Sequence, residues 1–438
     1  MLSKFVHAIK VTNDVFALYN SLVFEPIFVS GKDLDLILND EILDVETIDV
    51  LYKKHIFVKS PDSDEKALTR LSTKVFSNTR KLSLMYLIVS SQCNLACKYC
   101  FIENNPESRT CPGSMDIFTA RKAVDMFCTE IKGEDETNAQ IIIYGGEPLI
   151  NREVLIDIVP YIRKRLPSIK LMLITNATLM DQEVALLLAE NDVGTGVSLD
   201  GPKEINDRNR VFRNENLSVY DKVSESIRIM NEAGCNFCIS ITVTQAVLEH
   251  EESVFEWLKH LGIKYIFWNL YHFQSYTDGW KDYYEQMSDF VLRMDEKLAP
   301  YGIVDGRVAE LLELFEHNTF RFQSCGAIGL NQVAVTPNGK VCICHGDSRN
   351  EKMFIGDIYS EESFSDMLRK DLPYINDHLY TLCHDECRRC EALYVCGGGC
   401  PAHAETLFGA RAEIDYAACV FYKKYLRWIL SKYLEANN

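Results

Sequence analysis

Positive charge is scarce in this chain: 46 lysines and arginines stand against 63 aspartates and glutamates, a formal net charge of −17. Nucleic-acid binding draws on an excess of Lys and Arg for phosphate contacts, so that class is excluded. Long apolar runs are missing too. None reaches the length that crosses a bilayer, and the opening MLSKFVHAIKVTND meets charge too early for a secretory signal. No internal repeat and no low-complexity tract is found. What is abundant is cysteine, sixteen in 438 residues. With nothing to address the chain for export, those thiols read as metal ligands in a reducing cytoplasm and not as disulfides. Hydrophobic residues at 47% and charged ones at 25% give ample core for two or three domains.

Residues 1–80 read as a separate small unit. Strand-like FVHAIKVT and VFALYNSLVFEPIFVS precede short helices near Leu34–Leu38 and Val45–Tyr52. HIFVKS follows as a further strand, then a helix through Thr73. This layout suits a small winged-helix-like module. From Leu82 to about Pro300, six near-continuous apolar runs (residues 82–90, 139–146, 169–177, 193–201, 236–244 and 263–271) alternate with helical stretches. Ser114 and Asp181 stand where helix N-caps belong. Such alternation predicts an α/β fold, a parallel sheet covered by helices in a partial (β/α)6 TIM-type barrel, with chemistry at the C-terminal ends of its strands. Residues 277–320 turn helical and lose strand character. We therefore divide the chain into a module at 1–80, a barrel at 81–300, a helical bridge at 301–323 and a cysteine-rich domain at 324–438.

Directly after the first barrel strand comes SQCNLACKYCF, with Cys93, Cys97 and Cys100. Three thiolates can hold an iron–sulfur cube and leave one iron without a protein ligand. Zinc is the alternative, but it takes four ligands in paired knuckles, and no second pair lies nearby. After the second strand stands Tyr144-Gly145-Gly146-Glu147-Pro148, where two glycines allow close backbone approach. Thr175 and Asn176 end the third strand; Ser198, Asp200 and Gly201 end the fourth. Polar groups at successive strand ends form a ring around one site. Asp200 has a plainer alternative as the cap of the next turn.

Together these stretches, Cys93-x3-Cys97-x2-Cys100 with Tyr99 before the last cysteine, then GGEP and SLDGP, resemble the radical S-adenosylmethionine enzymes. The resemblance implies a [4Fe-4S] cluster whose open iron chelates S-adenosylmethionine, followed by reductive cleavage to a 5′-deoxyadenosyl radical. It places Tyr99 in the cluster loop and Gly145, Gly146 and Glu147 at the methionyl amine. Thr175, Asn176, Ser198 and Asp200 fall at the ribose and carboxylate, and Arg210 is the candidate carboxylate partner. The family's usual His-Asp is absent from Asn206-Asp207-Arg208-Asn209-Arg210.

The C-terminal cysteines run Cys325, thirteen residues, Gly339, four residues, Cys344, then Cys387-x2-Cys390-x5-Cys396-x3-Cys400 and Cys419. Two zinc sites are the alternative to clusters here. With GGGCPA at 397–402, the pattern resembles the SPASM extension of the same superfamily. That implies two auxiliary [4Fe-4S] clusters, three clusters in all. The outer would take Cys387, Cys390, Cys396 and Cys419; the inner would take Cys325, Cys344 and Cys400. Family variants with a fully ligated inner cluster place a further cysteine soon after the first, an interval in which this chain has Asn331 and no cysteine. Either Cys342, two residues from Cys344 on one strand face, completes the set, or an iron stays open. Cys383 is a stray near the outer set; Cys111, Cys128, Cys235 and Cys238 lie outside the pattern, the last two as a buried pair. His345 replaces the Asp that sulfatase maturases carry there and is a candidate proton acceptor.

Relatives of this kind that modify ribosomally made peptides often carry a winged-helix module that takes the peptide's leader as an added strand. The resemblance therefore implies a maturase of ribosomal peptides, making a thioether or a carbon–carbon crosslink. Its partners would be a leader-bearing precursor and an electron donor such as flavodoxin or ferredoxin. Formylglycine formation, as in anaerobic sulfatase maturases, and peptide epimerisation or excision are the enzymatic alternatives. An iron–sulfur redox relay is the non-enzymatic one.

Overall fold

The computed structural model describes residues 1–39, 44–76, 81–103, 113–131, 136–273, 275–317, 319–321, 323–370 and 378–436. Three antiparallel strands open the chain: β1 (Val6–Lys10), β2 (Val15–Asn20) and β3 (Ile27–Ser30), side by side in that order. Helices follow at Gly31–Leu38, Val45–Lys53 and Pro61–Phe76. Ser30 and Asp44 cap the first two by accepting the Asp33 and Thr47 amides. HIFVKS does not become the expected strand. His55 turns at φ 55°, and the amides of Ile56 and Phe57 are taken by the Leu51 carbonyl at the helix end. One isolated bridge, Leu2 with Phe57, is what forms there.

The remaining strands make one ten-stranded sheet. Its parallel body is β4 (Leu84–Ser90), β5 (Gln140–Gly145), β6 (Lys170–Thr175), β7 (Gly194–Ser198), β8 (Phe237–Thr242) and β9 (Tyr265–Asn269), the six apolar runs of the sequence in sequential order. Apolar residues fill both faces in the centre of this body, as in Ile141–Ile143 of β5, and there the run shows no polar alternation. Met85, Leu87 and Val89 of β4 join one core with Ala120, Val124 and Phe127 of the helix Ile117–Ile131. Each such fully buried large side chain contributes about 1.5–3 kcal/mol. Asp181 caps the helix Gln182–Glu190 as expected. Ser114 does not cap: it bridges to Ser90, and Asp116 accepts the Thr119 amide at 2.7 Å instead.

Two extensions lie beyond the sequence reading. A two-residue strand, β10 (Val304–Asp305), sits in the stretch taken as purely helical and pairs in parallel with β9. On the other side β11 (Gln332–Val335) pairs in parallel with β4, and β12 (Lys340–Cys342) and β13 (Phe354–Asp357) continue the sheet antiparallel. The sheet therefore ends at β10 and β13 and stays open. The N-terminal sheet packs on the C-terminal third of the chain. Tyr19 donates to the Glu391 carbonyl at 2.8 Å, Phe24 stacks on Tyr394 at 4.9 Å, and Phe28 stacks on Tyr433 at 5.9 Å.

Candidate functional site

The strand ends of β4 to β9 converge on the cysteine loop, and that loop is tied down from three sides. Its backbone pairs with the segment after the helix Lys203–Asn209: the amides of Ala96 and Lys98 donate to the carbonyls of Val211 and Asn209. Asn94 links to the β6 exit, accepting from Asn176 Nδ2 at 3.0 Å and donating to Thr178 Oγ1 at 2.9 Å. Tyr99 reaches across to donate to Asp200 at the β7 exit. So fixed, Cys93, Cys97 and Cys100 are half-buried and close enough for charge on one to act on the others. Burial first, then neighbouring charge, pushes the Cys93 thiol up to about 12. Burial likewise pushes Cys97 up to about 11, with Arg210 pulling the other way. Three half-buried thiols near one another are a poor site for bare thiolates, which a larger positively charged group spanning them would stabilise.

The glycine pair serves this loop directly. A Cβ on Gly145 would lie 2.2 Å from the Ser90 carbonyl oxygen, and one on Gly146 would lie 2.5 Å from that of Gln92. Both positions hold β5 against the start of the cysteine loop, with the Gly146 and Glu147 amides donating to Ser90 and Gln92. Glu147 itself is fully buried and turned inward. It accepts from Thr175 Oγ1 at 2.6 Å, the Leu149 amide at 2.9 Å and the Asn176 amide at 2.7 Å. Burial pushes it up to about 6 against those three bonds.

Asp200 is fully buried as well. Its two oxygens accept from Arg210 Nε and Nη2, both at 3.0 Å, from the Thr242 amide at 2.9 Å and from Tyr99. Four donors saturate a carboxylate. Asp200 is thus a brace between cysteine loop, β7 and β8, and Arg210 is its bidentate partner, lying 5.4 Å over the Tyr99 ring. Nη1 and the second hydrogen of Nη2 are left for other acceptors. Ser198 stands half-buried opposite Ser240. Ser240 accepts from Asn269 at 2.6 Å, which adds two polar strand-end groups that the sequence reading passed over. Their signal was present: Ser240 and Thr242 alternate with apolar residues in CISIT, and Asn269 closes YIFWN.

The C-terminal thiols fall into two sets. Cys344 feels the charge of Cys400 and Cys325, and Cys400 that of Cys325. Cys396, Cys419, Cys387 and Cys390 form the second set. Burial raises the thiols of Cys344, Cys400, Cys387, Cys390, Cys396 and Cys419. Cys342 joins neither set, against the expectation from its spacing. The β12 strand bulges at Val341/Cys342, and the side chain sinks among Ile88 and Ala334, donating to the Cys344 carbonyl at 3.3 Å. Cys111 lies outside the described residues. Among the described residues no three His, Cys, Asp or Glu side chains are gathered tightly enough for one metal ion. Thiolates around one zinc ion stand about 2.3 Å from the metal.

His345 occupies the space between the first and inner sets. Its ring stacks on Tyr86 at 4.3 Å and meets Tyr144 edge-on at 4.9 Å, with Phe101 of the cysteine loop at 6.2 Å. Nδ1 is buried without a partner among the described residues, and burial pushes the ring down to about 4. Next to it lies a group that the sequence reading missed: His272, just past β9, tilts against His403 at 4.6 Å, and His403 bonds to Tyr284 and Asp415.

Comparison with known proteins follows this geometry. Residues 87–258 match the model of the radical SAM superfamily, and residues 325–391 match that of SPASM, an iron–sulfur cluster-binding domain. The cysteine-type anaerobic sulfatase-maturating enzyme of Clostridium perfringens is 25% identical over 82% of this chain and 98% of its own length. The radical SAM cyclopropyl synthase TigE of Paramaledivibacter caminithermalis is 21% identical over 99% of this chain and 96% of its own. Among solved structures, native anSMEcpe with bound AdoMet superposes with a TM-score of 0.68 at 23% identity, covering 82% of this chain and all of that one. Streptococcus suis SuiB bound to its precursor peptide SuiA superposes with a TM-score of 0.57 at 14% identity, over 96% of this chain and 99% of that one. No described helix is long and apolar enough to cross a membrane.

Proposed function

We propose, from the premise that this chain is a radical S-adenosylmethionine enzyme with a C-terminal SPASM domain, that it matures a ribosomally made peptide. Its product, on this reading, carries a thioether or carbon–carbon crosslink. The observation that carries the proposal is the N-terminal sheet. The sulfatase-maturating relative leaves about a fifth of the chain unmatched, whereas the fold of SuiB, seen with its precursor peptide, extends over nearly all of it. TigE likewise spans almost the whole chain. A leader peptide adding a strand beside β3 fits that layout, because the segment leading into β1 already bonds to residues 56–58.

The residues present suit the cofactors the family uses. Cys93, Cys97 and Cys100 would hold the first [4Fe-4S] cluster, which with S-adenosylmethionine supplies the 5′-deoxyadenosyl radical. Cys325, Cys344 and Cys400 would hold an inner cluster, and Cys387, Cys390, Cys396 and Cys419 an outer one, three in all. With Cys342 turned away, the inner set offers three thiolates, so one position is left for a substrate sulfur. The strand-end ring of Ser198, Ser240, Asn269 and Arg210 Nη1 orients the cofactor's polar groups. Tyr86, Tyr144 and Phe101 wall off water around His345. Its Nδ1, buried without a partner among the described residues, would accept a proton or a hydrogen bond from the substrate peptide. An electron donor of the flavodoxin or ferredoxin kind completes the partners.

The test is anaerobic reconstitution with dithionite and S-adenosylmethionine, alongside co-expression with a short Cys-rich peptide encoded nearby. Release of 5′-deoxyadenosine and a peptide lighter by two hydrogens per modification are the expected results. Formylglycine in a folded sulfatase, or an unchanged peptide mass with one solvent deuteron incorporated, would replace this reading with one of its alternatives. Intact S-adenosylmethionine would leave a relay.

A further inference from the structure

Two tyrosines stand between the first and inner cysteine sets with their rings packed and their hydroxyls open. Tyr86 of β4 packs against Ile88, Ala334 and Cys342. Tyr144 of β5, the register partner of Ile88, meets the Tyr86 ring edge-on at 5.8 Å. The inner-set segment closes over them: His345 stacks on Tyr86, and Arg349 ties that segment to the first loop by donating to the Ser91 carbonyl. Gly346 lets the two loops touch, since a Cβ there would fall 2.8 Å from the ring of Phe101, the residue after Cys100. The charges of Cys344 and Cys325 reach Tyr86, and those of Cys100, Cys344 and Cys93 reach Tyr144. Tyr86 is thus the tyrosine of the inner set, and Tyr144 lies between the two. Burial, ahead of those charges, raises both phenols, so each keeps its proton. Other packed tyrosines give that proton to a neighbour: Tyr19 to the Glu391 carbonyl, Tyr99 to Asp200, Tyr283 to the Val243 carbonyl and Tyr284 to the Tyr271 carbonyl. Tyr86 and Tyr144 have no hydrogen-bond partner among the described residues. Tyr425 also lacks one, but its hydroxyl is sealed in the core, whereas Tyr86 and Tyr144 are only half-buried. A phenol donor open toward such a gap suits an acceptor brought in by a ligand.

We propose that the Tyr86 hydroxyl donates a hydrogen bond to the substrate cysteine whose sulfur reaches the inner set, and so selects a peptide that presents a thiolate there. Position and charge both favour this acceptor. Tyr86 lies within reach of the charges of Cys325 and Cys344, two of the three thiols that would flank the open position. A thiolate is a charged acceptor, and in a space of low dielectric it gains more from one O–H donor than it would in water. A methyl group in its place accepts nothing, so the discrimination is for cysteine. The inference rests on the proposed reading that a substrate sulfur takes the position left by the inner set, and it adds the side chain that recognises that sulfur.

The test is a binding cycle on the reconstituted full-length protein. Dissociation constants are measured for the Cys-rich precursor peptide encoded nearby and for the same peptide with its cysteines replaced by alanine, in wild type and Tyr86→Phe. The variant keeps the ring and its stack on His345. The expected result is that wild type prefers the cysteine peptide and that Tyr86→Phe cuts this preference by about tenfold, the size of one hydrogen bond to a charged acceptor. Affinity for the alanine peptide should stay the same. A purely structural role would weaken both peptides alike; that outcome, or an unchanged preference, overturns the inference. Should Tyr86→Phe lose iron, Tyr86→3-fluorotyrosine decides, because its phenol is a stronger donor. It should tighten binding of the cysteine peptide alone, and equal affinity to wild type would overturn the inference. Wild-type protein that binds both peptides equally would instead refute the underlying reading, that a substrate sulfur reaches the inner set, and the inference with it.

Discussion

Gly146 has its Cβ position filled by backbone of the neighbouring loop. Because the obstruction is the Gln92 carbonyl oxygen and not a pliable side chain, Gly146→Ala must displace the start of the cysteine loop. The variant should lose iron from the first site while keeping the auxiliary clusters. Its affinity for S-adenosylmethionine should fall by at least about tenfold, the factor that about 1.4 kcal/mol of strain produces. Iron analysis with paramagnetic resonance and equilibrium binding would check both; full iron and wild-type affinity would contradict it. Asp305 gives a second prediction of this grain. It caps the helix Gly306–Glu316 through Oδ1, which accepts the Arg307 amide at 3.1 Å, while Oδ2 is buried without a partner among the described residues. Burial pushes its carboxyl up to about 6, above its unfolded value near 4, with Arg307 opposing and Asp295 adding to the rise. A raised folded pKa means that stability is full below about pH 4 and is lost as pH climbs through 6. Asp305→Asn keeps the capping oxygen and cannot ionise. Its stability advantage over wild type should grow from pH 4 to 6 and then level off, on the order of 2–3 kcal/mol. Thermal melts across that range measure it, and a pH-independent difference would count against the argument.

Among the elements, β3 is the one that the proposed function leaves with work to do. Its described partner is β2 alone, and its outer edge offers unpaired backbone groups to an incoming strand. Addition of the precursor should slow amide exchange across Ile27–Ser30 and leave Val6–Lys10 unchanged, read by hydrogen–deuterium exchange. Protection confined to β1, or to neither strand, would move the leader elsewhere. The same scale shows what the sequence could announce. The six barrel strands were legible because each is a near-continuous apolar run bounded by caps and turns. The strands β10 to β13 were not, since two to four residues are too few to show a period. HIFVKS has the composition of a strand, yet a helix end captured its amides first. Asp116 displaced Ser114 as a cap because Ser114 was already bonded to β4.

For the whole molecule, the grouping of ten thiols into three sets is what the family resemblance implies; spacing alone would have put Cys400 with Cys396. Cys342 misled for the same reason: nearness along the chain said nothing of a bulge that turns it into the core. The two carboxylates singled out at the strand ends, Glu147 and Asp200, each brace their neighbours, accepting bonds from β6 and from β8 and Arg210 respectively. The Tyr284–His403–Asp415 chain had no sequence signature, its first link spanning 119 residues. Finally, β11 is zipped by backbone to β4, so the segment carrying Cys325 and Cys344 belongs to the same pleated ribbon as the strand that launches Cys93. A continuous ladder has no hinge. The gap between the first cysteine set and the inner one is therefore set at folding, like the span of a caliper locked in position. On the proposed function, a peptide would be chosen by whether its reacting side chains bridge that span.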